Sequence, residues 1–112
     1  MILNAYKKIS KRKEQLIMNV ELGISTFGET TPLEKTGKAI SHDERIRNLI
    51  EEVELADQVG IDAYAIGEHH RKDFAVSAPE IIIAMAAAKT KQIHLSSATT
   101  NLPTIDPIRV FE

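Results

Sequence analysis

Ala63-Tyr-Ala-Ile-Gly-Glu-His-His70 is the stretch that decides the fold. Ile61 to Ile66 is a short, almost uninterrupted apolar run, the pattern of a strand buried on both faces in a parallel sheet. It opens at Gly67 into an acid and two imidazoles. In parallel α/β proteins, ligands gather at the carboxyl ends of the strands. Glu68, His69 and His70 therefore stand where chemistry is expected.

The residues before this strand read as a helix. Ser41-His-Asp-Glu44 has the form of a capping box, with the Ser41 hydroxyl accepting from the Glu44 N–H and the Glu44 side chain reaching back. Ile46, Leu49, Ile50, Val53, Ala56 and Val59 follow at helical spacing, and Gly60 stands where a left-handed cap is wanted. Further upstream, Val20 to Phe27 reads as a first strand, with Leu22, Ile24 and Thr26 on one face. The polar loop from Gly28 to Ile40 is longer than most connections, and long loops after strands are often functional.

A second unit follows the first. Ser77 and Glu80 have capping-box spacing, and Pro79 falls in the first turn of a helix predicted over Ile81 to Thr90. Ala84, Ala86, Ala87 and Ala88 permit that helix to pack closely on a sheet. Ile93 to Leu102 reads as a third strand. Asp106 caps a third helix with Pro107 at its first position, and the sequence ends inside it at Arg109-Val-Phe-Glu112. The order β-α-β-α-β-α implies right-handed parallel α/β architecture. It does not separate an open doubly wound sheet from a (β/α)8 barrel. Neither GxGxxG nor GxxxxGK[ST] follows the first strand, so a Rossmann or P-loop reading lacks its phosphate cradle.

Composition narrows the function classes. The 112 residues allow one domain at most, 43% are hydrophobic, and only 4% are aromatic, so aliphatic and Ala packing must supply the core. There is no cysteine, which excludes a disulfide scaffold and a thiolate metal site and fits a reducing cytoplasm. Residues 1–17 carry five basic side chains against Glu14, whereas the remainder carries nine basic and fifteen acidic ones. The acidic body argues against nucleic-acid binding. No apolar run approaches the ~20 residues that span a bilayer. Residues 1–17 read as a basic N-terminal extension, either a loosely amphipathic helix that touches a partner or membrane, or a mobile tail. A third reading makes Met18 the natural start.

Two clusters are candidates for chemistry. Adjacent strand residues point to opposite faces, so at most two of Glu68, His69 and His70 are expected to share one site. They form either a hydrogen-bonded polar cluster or an acid–base pair that titrates near neutrality. Contiguous Glu-His-His cannot wrap one metal ion well, even with Asp73 nearby, so no metal is expected. Ser96-Ser-Ala-Thr-Thr-Asn101 is the second cluster. Its small side chains admit a flat ligand close to the backbone, or mark an edge strand that meets solvent. His42 and His94 read as structural or surface residues. Lys89 and Lys91 suit the end of the second helix.

Gly67-Glu-His-His70, Ser77-Ala-Pro-Glu80 opening an Ala-rich helix, and Ser96-Ser-Ala-Thr-Thr-Asn-Leu102 followed by Asp106-Pro-Ile-Arg-Val-Phe-Glu112 together resemble the luciferase-like monooxygenase family. The resemblance covers residues 18–112. It implies the N-terminal portion, about three β/α units, of an incomplete TIM (β/α)8 barrel that binds reduced FMN at its C-terminal face. A full barrel takes ~250 residues. Strands four to eight, and the phosphate site expected near strands seven and eight, would lie outside this chain. By similarity, His69 matches the family's active-site histidine and His70 its neighbour. Phe27, Gly28 and Glu68 would lie beside the flavin. Ala98, Thr99 and Thr100 would lie beneath its ring, with Ala98-Thr99 at a place where these proteins often hold a cis peptide. Asn101 departs from the pattern, standing where relatives commonly carry an aliphatic residue. The implied activity is oxygenation of a small organic substrate by O2, with a flavin reductase as a possible partner and no nucleic acid or membrane involved. A related deazaflavin-dependent oxidoreductase is the enzymatic alternative. The other is a non-catalytic truncated product that self-associates into a homo-oligomer through open sheet edges.

Overall fold

The computed structural model describes residues 20–32 and 37–111, so the basic extension at 1–17 lies outside the described residues. Three parallel strands form one sheet in the order β1-β2-β3: β1 Gly23–Thr26, β2 Ala63–Ile66 and β3 His94–Ser97. Helix α1 (His42–Val59) joins β1 to β2, and α2 (Pro79–Ala87) joins β2 to β3. A 3-10 turn (Leu102–Thr104) and a short α3 (Pro107–Phe111) complete the described chain.

The register divides the sheet into two unlike faces. Ile24, Tyr64 and Leu95 stand side by side, as do Thr26, Ile66 and Ser97. Their face meets the helices, where Leu49, Val53, Ile66, Val76 and Ala86 form the centre of the core. The opposite face carries Gly23, Ala63 and His94 in one row and Ser25, Ala65 and Ser96 in the next. The large apolar side chains of the strands are thus gathered on the helix side. The other face is small and polar, as suits the inside of a barrel.

Helix α1 follows its sequence signals closely. The Ser41 hydroxyl accepts from the Glu44 N–H at 3.3 Å. At the other end Gly60 adopts φ 81° and donates to the carbonyls of Ala56 and Asp57. Asp57, buried near that end, accepts from the N–H groups of Lys91, Gln92 and Ile93 at 3.1, 2.8 and 2.8 Å. One carboxylate thereby ties α1 to the entry of β3. Lys89 on the turn after α2 reaches Glu54 of α1 at 2.6 Å.

Several boundaries differ from the sequence reading. β1 starts at Gly23 rather than Val20, because the Leu22 N–H is taken by the Asp62 carboxylate at 2.8 Å instead of the ladder. β2 starts at Ala63 because the Ile61 N–H still closes on Ala56 at the end of α1. The Ser77–Glu80 capping box does not form. Helix α2 begins at Pro79 with Ala78 as its N-cap and no side-chain cap. Proline at the first position removes one unpaired donor, so the helix starts there without a hydroxyl. β3 ends at Ser97 rather than Leu102; the next peptide, Ala98–Thr99, is cis, and the chain then turns into the 3-10 segment. Asp106 does cap α3, accepting from the Ile108 N–H at 2.8 Å.

Candidate active site

The site is assembled at the carboxyl ends of the three strands. Glu68, His69, His70, Arg71, Thr99 and Asn101 line an open cavity of about 420 Å³. The strand-alternation rule would have allowed only two of the Glu-His-His residues there. All three take part, because β2 ends at Ile66 and strand alternation no longer governs the loop beyond it.

Each of the three is held differently. The Glu68 side chain is 4% exposed and pairs with His70 Nε2, whose ring is 57% exposed. Its second oxygen accepts from the Asn101 N–H at 3.3 Å. Glu68 therefore ties the loop after β2 to the loop after β3. Asn101 lies at the cavity wall and serves this link through its backbone, not through packing beneath the strand. His69 lines the same cavity but is held by other contacts. Its N–H donates to the Val76 carbonyl at 3.0 Å, and its ring stacks on Phe74 with centroids 4.1 Å apart and planes 21° apart. Among the described residues neither ring nitrogen of His69 has a hydrogen-bond partner.

Phe27 leaves the end of β1 and meets the His69 ring edge-on at 5.9 Å and the Phe74 ring at 6.5 Å. The Arg71 guanidinium lies 5.6 Å from the centre of the Phe74 ring while pairing with both oxygens of Asp73. The three rings thus form one cluster, with the Arg71 cation against it.

Gly67 permits this crowding. A Cβ there would come within 2.3 Å of the Phe27 ring and 2.9 Å of the Ala98 carbonyl oxygen. Gly28 takes φ 68° and brings its backbone against Val76. The cis Ala98–Thr99 peptide lies beside this cluster, with Thr99 on the cavity wall. Thr100 exchanges a hydrogen bond with the Ser97 hydroxyl at 2.6 Å and lines a separate cavity with Glu80, Ile81, Ile105, Arg109 and Val110. Sequence reasoning missed Phe74, on which His69 stacks, and Arg71, which packs against Phe74 and lines the cavity. The signal was a single aromatic in the polar run Arg71-Lys-Asp-Phe74, visible only once the loop was known to fold back.

The sequence profile described as luciferase-like monooxygenase matches residues 20–112. This chain belongs to that family. It is 38% identical over 68 residues to the uncharacterized protein YceB of Bacillus subtilis (strain 168), covering 60% of this chain and 20% of that protein. It is 37% identical over 62 residues to the 4-hydroxyprotoasukamycin monooxygenase of Streptomyces nodosus subsp. asukaensis, covering 54% of this chain and 17% of the enzyme. Among solved structures, it superposes with a TM-score of 0.68 and 30% identity on the oxygenating constituent of 3,6-diketocamphane monooxygenase from Pseudomonas putida, a type II Baeyer–Villiger monooxygenase in complex with FMN. That match covers 80% of this chain and 23% of the enzyme. Apo-MsnO8 matches with a TM-score of 0.66 and 33% identity, over 81% of this chain and 26% of that one. The chain spans about a fifth of the curated relatives it matches. The luciferase-like chain thus holds three strands of a TIM-type α/β barrel, and the barrel is incomplete.

Proposed function

We propose that the chain supplies the first three strands of a reduced-FMN site in a monooxygenase that transfers oxygen from O2 to a small organic substrate. One observation carries this reading. Phe27, His69 and the Ala98 backbone converge at the carboxyl ends of adjacent strands, where Gly67 lets them approach. A flat conjugated ring fits such a floor of small side chains beside aromatic edges, and the neighbouring Glu68, His70 and Asn101 supply polar groups at the rim. Reduced FMN, when bound, supplies the electrons that activate O2. The protein's part is to orient the ring, exclude water and manage a proton. His69 is suited to the proton because, among the described residues, its ring nitrogens have no hydrogen-bond partner, whereas His70 is engaged by Glu68. Glu68 instead holds the two loops together through the Asn101 N–H, with His70 paired to it. Phe27 and Gly28 would form the wall beside the ring, and Ala98, Thr99 and Thr100 the floor. A flavin reductase would deliver the reduced cofactor.

The experiment is an anaerobic titration of the chain with reduced FMN, and in parallel with reduced deazaflavin. Saturable FMN binding is expected, weakened about 10-fold by His69→Ala, the loss of about 1.4 kcal/mol of contact. Absence of saturable binding, or tighter binding of the deazaflavin, would overturn the FMN reading.

A second reading concerns assembly, and the exposed edges favour it. Among the described residues, β1 and β3 each pair with β2 on one side only, and Ile24 on β1 is 43% exposed. Unpaired parallel edges invite strand addition from a second copy. Sedimentation at rising concentration is expected to show a dimer or larger species. A monomer throughout would remove this reading.

A further inference from the structure

Arg45 is a charged residue in an expensive place. It lies in the first turn of α1, beside Asp43 and Glu44, and is only 9% exposed. A cation near a helix N-terminus opposes the helix dipole, and burial adds a desolvation cost. Its partners account for its position. Nη1 and Nη2 donate to the two oxygens of Glu52 at 3.0 and 3.3 Å, and the Tyr64 hydroxyl donates to the same carboxylate at 3.1 Å. The remaining donors leave the helix. Nε reaches the Glu29 carbonyl at 3.1 Å, and Nη2 reaches the Thr26 hydroxyl at 3.4 Å.

Both targets flank Phe27: Thr26 ends β1, and Glu29 stands in the loop that follows. The Thr26 hydroxyl also accepts from the Gly28 N–H at 3.1 Å and donates to the Glu29 carboxylate at 2.9 Å. Its one proton and two lone pairs are then fully used. Burial pushes the Glu29 carboxyl up, but hydrogen bonds from its own N–H, the Thr26 hydroxyl and the Phe27 N–H, with the Arg45 charge, outweigh it and hold the group below its usual value. The loop fixed in this way pairs with the loop after β2. Glu29 and Phe74 form an antiparallel bridge, with Ala75 N–H to Gly28 O and Thr30 N–H to Asp73 O, both 2.9 Å. Phe74, at the centre of that bridge, is the ring that stacks on His69.

We propose that Arg45 is a positioning residue for the site. By gripping Glu29 and Thr26 it sets the loop of Phe27, and through the Glu29–Phe74 bridge it sets the ring on which His69 rests. Its part in flavin binding rests on the proposed function. Its part in placing His69 does not.

The test uses Arg45→Met and Arg45→Lys in the full chain, with Arg47→Met as control, since Arg47 makes only an exposed pair with Asp43. In the ligand-free chain, proton NMR reads the cross-relaxation between the stacked rings of His69 and Phe74. Arg45→Met is expected to abolish it, Arg45→Lys to weaken it, and the control to leave it intact. Affinity for reduced FMN is expected to fall about 10-fold in Arg45→Met. A lower melting temperature with the His69–Phe74 signal and the FMN affinity unchanged would reduce Arg45 to a stabilising residue and overturn the proposal. If Arg45→Met does not fold, Thr26→Val breaks the same hub without stranding a charge, and its ring signal decides. If the unmodified chain binds no FMN, the flavin reading fails, and the ligand-free ring signal still judges Arg45.

Discussion

Gly67→Ala is expected to destabilise the chain by about 2–3 kcal/mol and to dismantle the ring cluster in the same step. The added methyl would lie 2.3 Å from Cδ1 and 2.4 Å from Cε1 of Phe27, and 2.9 Å from the Ala98 carbonyl oxygen. Phe27 can swing outward, since it is 39% exposed, but then it leaves the edges of His69 and Phe74. The Ala98 carbonyl has no such freedom. The Ala98 N–H is tied to the Ile66 carbonyl at 2.9 Å, which anchors the end of β3 that carries that oxygen. Relief therefore requires β2 and β3 to part at the site. Urea unfolding would measure the stability, and aromatic NMR shifts would report the cluster. Gly37→Ala is the matching control. Gly37 takes φ 63° with nothing within 4 Å of the new methyl, so only the left-handed conformation is penalised, by about 1 kcal/mol. If Gly67→Ala cost no more than Gly37→Ala and kept the Phe27–His69 contact, the close-approach argument would fail.

The same geometry explains what the sequence could reveal. Helix α1 was legible end to end because its signals are local. A hydroxyl stands at Ser41, the apolar period runs from Ile46 to Val59, and Gly60 supplies the left-handed stop. The placing of Glu68, His69 and His70 at a strand end was equally local. What failed depended on partners distant in sequence. The start of β1 is set by Asp62 reaching back to Leu22, which no strand pattern encodes. Ser77 looked like a cap until Pro79 began the helix. Phe74 and Arg45 are the instructive misses. Each stands among charged neighbours, and the partners that enclose them, Glu52, Thr26 and Glu29 for Arg45 and His69 for Phe74, lie beyond those neighbours or in the loop across the Glu29–Phe74 bridge. Alternation along β2 also misled at its end, because a strand rule was carried two residues past the strand.

The carboxyl ends of the strands thus hold a site whose parts constrain one another, and the opposite end of the sheet holds the joint that keeps the layers in register. That joint is Asp57. Replacing it with Ala is expected to lower the melting temperature by about 10 °C or more, because three N–H groups would lose their acceptor, including the buried one of Ile93. Asp57→Asn should fall between. Its single carbonyl oxygen can keep Gln92 and Ile93, which share Oδ1, but its amide would face the Lys91 N–H as donor against donor. The pH dependence separates charge from shape. The N–H groups of Gln92 and Ile93, then Lys91 with its charge, favour the carboxylate, and against the opposing effect of burial they hold Asp57 below its usual value of 3.8. A folded-state value below the unfolded one means that the unfolded chain binds the proton first as pH falls. The stabilisation is therefore fully present above about pH 5 and is lost as the pH drops through 3.8 toward the lower folded value. Thermal melts of the unmodified chain and Asp57→Asn should differ by a constant amount from pH 7 to pH 5 and converge below pH 4. A gap that stayed constant into acid would mean that the carboxylate contributes only its shape, and that the joint between α1 and β3 owes nothing to its charge.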